Sequence, residues 1–122
     1  MYVQQQVGDI YKQQIINQKS NIMKIKINQK LLDVKDKVII LEGNQPLTLK
    51  EVIVQTMSIP FQGDTDVVKY QKYDLYKLVK AANDEVELTI EDIAFIKKWI
   101  GTIQPQLIAG QCRDFLEEKQ TN

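Results

Sequence analysis

The sequence predicts an α+β fold: an N-terminal amphipathic helix, a short β-hairpin or meander, and then a four-helix cluster of two helix–turn–helix-like units. Three observations predict it. Ile90, Ile93, Ile96, Ile100 and Ile103 recur at three- and four-residue spacing behind Thr89, which makes one helical stripe. Apolar residues and lysines nearly alternate from Ile25 to Val34, the pattern of a half-buried strand. Pro60 and Pro105 each interrupt the chain after a capped apolar run, so helices should come in pairs.

Residues 1–22 are polar and glutamine-rich. Val3, Val7, Ile10 and Tyr11 share one helical face that Ile15 and Ile16 extend. Such a helix can dock on the domain, pair with a second copy as a homo-oligomer, or bind a partner. Met23-Lys24-Ile25-Lys26-Ile27 reads as the start of a compact domain over 23–122. The first 22 residues are then an appendage, or an upstream extension of the reading frame.

Ile25, Ile27, Leu31 and Val34 form the first strand, Asp33 to Lys37 a polar turn, and Val38-Ile39-Ile40-Leu41 a short apolar strand. Gly43 and Pro46 punctuate its end. Thr48 then caps a helix, with Glu51 three residues on completing a capping box. Leu49, Val52, Ile53 and Thr56/Met57 are its buried face, and it stops before Pro60.

A helix is expected from about Asp66 to Ala82, with Val68, Leu75, Leu78, Val79 and Ala82 inward. Tyr70, Tyr73 and Tyr76 lie on a neighbouring flank. Val86-Glu87-Leu88 is extended. The Thr89 helix follows, with Asp92 in its first turn, Phe95 and Trp99 on a second flank, and Gly101 as its C′ residue. Pro105 opens a last helix through Leu107, Ile108, Gln111/Cys112, Phe115 and Leu116.

Leu47-Thr48-Leu49-Lys50-Glu51-Val52 and Leu88-Thr89-Ile90-Glu91-Asp92-Ile93 share a pattern of apolar, Thr, apolar, charged, acidic and β-branched residues. A shared capping geometry follows. A true duplication would place the two extended lead-ins side by side.

Composition narrows the function. With 122 residues, 43% of them hydrophobic and 26% charged, the chain fits one domain. Sixteen basic and sixteen acidic residues cancel, which disfavours a general nucleic-acid or membrane-surface binder. No histidine is present to serve as general base or metal ligand. Cys112 is the sole cysteine, so no intramolecular disulfide forms and a reducing, cytoplasmic setting is expected. No apolar run approaches the ~20 residues of a membrane span.

No catalytic, cofactor or metal signature appears, and an enzyme is not expected. Asp64 and Asp66 lack the ligand spacing of a calcium loop and read as a solvated acidic turn. Asp84, Glu85, Glu87, Glu91 and Asp92 gather five carboxylates with no basic residue among them. They suit either a dipole-favoured helix start or a negative patch facing a basic protein. Lys69, Lys72, Lys77 and Lys80, with Tyr70, Tyr73 and Tyr76, suit an exposed amphipathic face, a protein interface, or a nucleic-acid face. Cys112 reads as a buried thiol. The candidate partner-binding residues are therefore Asp84, Glu85, Glu87, Glu91, Lys69, Lys72, Tyr70 and Tyr73.

From Met23 on, the runs Met23–Asn28, Pro46–Val52 and Val86–Lys98, with Gly110-Gln111, resemble small proteins encoded in bacteriophage and prophage genomes. The likeness spans about residues 23–116 and carries no catalytic residues. It implies an accessory protein of the bacterial cytoplasm that binds a host or phage protein complex, such as an inhibitor of a CRISPR-type defence complex. Phage assembly or self-association is the alternative, and nucleic-acid binding through residues 66–82 a further one.

Overall fold

Two strands distant in sequence hold the domain's two halves together. β1 (Ile22–Lys26) pairs antiparallel with β2 (Glu85–Thr89), in a register that sets Lys24 opposite Glu87 and Ile25 opposite Val86. The structure, a computed structural model, describes residues 21–117. The expected N-terminal helix and its pairing role lie outside the described residues. Period-two alternation explains the pair: Ile25, Val86 and Leu88 face the core, while Lys24, Lys26, Glu85 and Glu87 face water.

Between Leu31 and Leu47 the chain makes a narrow meander of single bridges, Leu32 with Val38 and Ile40 with Pro46. The apolar run Val38–Leu41, expected as a strand, is largely solvent-facing, with only Ile39 packed against the core. A short 3₁₀ turn, Glu42–Asn44, closes the meander, with Gly43 and Asn44 at positive φ. Gly43 takes that conformation without steric cost.

Four helices follow: α1 (Leu49–Ser58), α2 (Asp66–Ala81), α3 (Ile90–Ile103) and α4 (Gln106–Glu117). α1 packs on α2 and α3 on α4, and the pairs meet through α1 and α3. The architecture is the α+β arrangement of two helix–turn–helix-like units. Its core runs from Ile25, Ile27 and Leu31 through Leu49 and Ile53 to Ile96, Ile100 and Leu116. No helix among the described residues is long and apolar enough to cross a membrane.

The two lead-ins do not lie beside each other. Both lie along residues 22–31, Leu88 opposite Met23 and Thr48 opposite Lys30. Both threonines cap their helices, but the boxes differ. Thr89 accepts from Asp92 N–H at 3.0 Å, and Asp92 Oδ2 accepts from Thr89 N–H at 3.2 Å, which completes the box. Thr48 accepts from Glu51 N–H at 3.4 Å, and the exposed Glu51 side chain makes no return bond. The shorter Asp therefore closes the box that the sequence assigned to Glu.

α3 runs past Gly101 to Ile103, and Gln104 is its C-cap. Gln104 Nε2 donates to the buried Thr56 hydroxyl at 2.9 Å, which ties this helix end to α1. Four residues expected to face inward face solvent instead: Val34 at 83%, Leu78 at 45%, Ile90 at 49% and Leu107 at 43% exposure. In α2 the inward row is Val68, Lys72, Leu75 and Val79.

Candidate functional site

Lys72 stands in that inward row, so α2 points a lysine at the core. Its Nζ donates to Asp64 Oδ2 at 2.8 Å, and both side chains are at least 96% out of water. The ammonium also lies 3.8 Å from the Trp99 ring centroid, and the Ile59 carbonyl is 3.5 Å away. This corrects two sequence expectations. Lys72 is not part of an exposed basic face, and Asp64 is not part of a solvated turn. A buried charge persists only with a partner, and here carboxylate and π-face share that role.

The loop before α2 is shaped for the pair. Asp64 Oδ2 accepts from Phe61 N–H at 3.2 Å, and Asp64 N–H donates back to the Phe61 carbonyl at 3.0 Å. Gly63, at φ 92°, permits the tight reversal. Phe61 then lays its ring edge-on to Trp99, with centroids 5.3 Å apart. Lys72's hydrogen bond holds the Asp64 carboxyl below its usual value, helped by the Phe61 N–H and nearby Lys69 and opposed by burial.

Beside this latch lies a cleft of about 320 Å³. Met57, Ile59 and Pro60 line one side, and Lys69, Tyr73 and Tyr76 line the other. The Tyr73 and Tyr76 rings stack at 6.3 Å and 17°. Lys77 Nζ sits 4.7 Å over Tyr73, and Lys80 Nζ 5.1 Å over Tyr76. Lys80 also donates to the Tyr76 hydroxyl at 2.9 Å, which raises its pKa. Tyr70 and Tyr73 remain 70% and 55% exposed, and Lys69 is exposed beside them.

Asp84, Glu85, Glu87 and Glu91 are all exposed, but their surroundings differ from the sequence reading. The β1–β2 register brings Lys26 opposite Glu85 and Lys24 opposite Glu87. Lys26 and Asn28 share a hollow with Asp84 and Glu85. Asp92 is committed to its cap. The acidic run is thus interleaved with lysines from a distant segment, and its negative field is weakened. Glu85 and Glu87 lie on β2, Asp84 just before it, and Glu91 and Asp92 in the first turn of α3, whereas the Lys/Tyr residues belong to α2. The candidate residues therefore come from α2 and from the segment 84–91 that follows it.

Sequence reasoning missed Asp64, Ile59 and Trp99 as neighbours of Lys72. A lysine interrupting the apolar row 68–75–79 was the available signal.

Among the described residues, no group of three His, Cys, Asp or Glu side chains could hold a metal ion. Cys112 is fully buried, and burial pushes its thiol up to about 12. What the site offers is a fixed, partly apolar surface with lysines above it. Compared with known proteins, the chain matches no family model, no curated protein and no solved structure.

Proposed function

We propose that the chain is a non-enzymatic protein-binding accessory protein and that the outer side of α2 with its neighbouring cleft is the binding surface. The observation that carries this reading is the pair Tyr70 and Tyr73, left 70% and 55% exposed beside an apolar cleft. Tyrosines dominate binding surfaces because they offer large contact area with few rotatable bonds. Tyr73 is already held by its stacked neighbour and by Lys77, so less entropy is lost when a partner arrives.

The resemblance of residues 23–116 to small phage-encoded proteins gives the reading its specific form. The chain would inhibit a host machine, such as a CRISPR-type defence complex, by covering one of its surfaces in the bacterial cytoplasm. The acidic residues along β2 play a secondary part, since lysines already stand opposite two of them.

Affinity purification from bacterial lysate tests the proposal, with the wild-type chain compared against Tyr70→Ser/Tyr73→Ser. A partner retained by the wild type and lost by the variant is expected. Absence of any specific partner would count against protein binding, and a partner indifferent to the substitutions would count against this surface.

A further inference from the structure

We propose that the cleft beside α2 receives one apolar side chain from an acidic peptide segment of the partner. This rests on the protein-binding reading and specifies the chemistry of what is bound.

Size is the first argument. At about 320 Å³ the cleft lies at the small end of ligand sites. It suits an anchoring side chain rather than a whole ligand, so the remaining contacts come from chain on either side of the anchor. The walls are apolar on both sides: Met57, Ile59 and Pro60 face the rings of Tyr73 and Tyr76.

Charge is the second argument. The one carboxylate lining the cleft, Asp64, is already neutralised by Lys72 at 2.8 Å and does not repel an incoming anion. The rim charges are cationic. Lys69, Tyr73, Tyr76 and Lys80 follow four-three-four spacing along one row of α2, and Lys77 lies one turn past Tyr73. Asp66 sits in the first turn, at the end of that row, and Asp74 falls on the flank with Tyr70. Carboxylates flanking the anchor would meet Lys69, Lys77 and Lys80, which are exposed.

Preorganisation is the third argument, and it separates a peptide from a nucleic acid. Stacking of a base needs a bare ring face. Tyr73 and Tyr76 instead stack on each other, and Lys77 sits 4.7 Å over the Tyr73 ring. The ring edges and the Tyr73 hydroxyl remain for a peptide, and three exposed lysines in a chain of zero net charge give a weak phosphate grip.

Fluorescence anisotropy of short labelled peptides with the full chain tests this. One set carries a central Phe or Leu among Asp and Glu. Control sets put the same anchor among Lys and Arg, put it among Ser and Gln, or replace it by Ser within the acidic flanks. Single-stranded DNA is the last probe.

Binding should require both the anchor and the acidic flanks, and it should weaken with added salt. Tyr73→Ala and Lys69→Glu, both at exposed positions, should each weaken it by about tenfold. The proposal is overturned if no peptide binds, if neutral or basic flanks bind as well, if the two variants bind like wild type, or if the DNA binds through these residues instead. A lysate partner that still depends on Tyr70 and Tyr73 while the acidic peptides fail would leave protein binding standing and remove only this inference.

Discussion

The side-chain amide of Gln111 pairs with both main-chain polar groups of Leu32, 79 residues away. Its Oε1 accepts from Leu32 N–H at 2.9 Å, and its Nε2 donates to the Leu32 carbonyl at 2.9 Å. The amide thus acts as one more strand residue for a meander that has only single bridges of its own. Gln111→Ala should cost about 1–3 kcal/mol, because two part-buried backbone groups lose their partners. Gln111→Glu should be worse than a one-atom change suggests, because an anionic oxygen then faces the Leu32 carbonyl. Denaturant unfolding measures the cost, and faster hydrogen exchange at the Leu32 amide would localise it.

Removing only one member of the Lys72–Asp64 pair should be more damaging than removing both. Lys72→Ala leaves a buried carboxylate and a gap under Trp99, and should lower the unfolding midpoint by roughly 10 °C or more. The double variant Lys72→Met/Asp64→Asn, which carries neither charge, should recover much of that loss. Thermal unfolding followed by Trp99 fluorescence reads both. Equal loss in single and double variants would contradict a coupled pair.

The same pair sets an acid limit. The folded-state pKa of Asp64 lies below its ordinary value of 3.8, chiefly through the Lys72 hydrogen bond. Its contribution is therefore fully present above about pH 3.8 and drains away as the pH falls through the lower folded value. Asp64→Asn should be less stable at neutral pH and should lose less stability below pH ~4 than the wild type. Urea midpoints across pH 2.5–7, a span set around the carboxylate range, would show the two curves converging toward the acid end.

The two threonine caps should differ. Thr89→Ala removes the 3.0 Å hydroxyl bond of a complete capping box and should cost ~1 kcal/mol. Thr48→Ala removes one 3.4 Å bond and should cost less. A larger cost at Thr48, in matched denaturation curves, would contradict the observed geometry.

Cys112 should be inert in the native protein. Its thiol is fully buried and raised to about 12, so almost no thiolate exists near neutral pH. Reaction with a disulfide reagent should follow global unfolding and become fast only in denaturant. Rapid labelling under native conditions would mean that α4 opens locally.

Much of the fold is legible in residue order because local physics fixes it. Thr48 and Thr89 cap helices where free N–H groups need acceptors, and Pro60 and Pro105 mark where the helices cannot continue. Ile93, Ile96 and Ile100 of the α3 stripe find the core because three-and-four spacing leaves little choice, while Ile90 at its start stays exposed. The stops are less legible. Gly101 looks like a terminus, but Gln104 bonds to Thr56 and carries α3 one turn further.

The candidate site was half readable. Lys69, Tyr70 and Tyr73 are exposed where the helical period puts them. Lys72 has the same period arithmetic in favour of burial, but a lysine is normally placed in water unless its partner is known. That partner, Asp64, comes from a loop whose turn depends on Gly63 and Phe61. Lys24 and Lys26 are likewise placed opposite Glu87 and Glu85 by a pairing across some sixty residues of chain.

The sequence by itself determined the helices, their caps and most of the apolar faces, since these follow from neighbours within a turn or two. Only the tertiary structure decided which charges are hidden, which are cancelled, and which face of α2 stays bare. Those outcomes depend on solvent exclusion and on partners brought from elsewhere in the chain. Lys72 shows the difference: nothing adjacent to it pairs its charge, and the fold does.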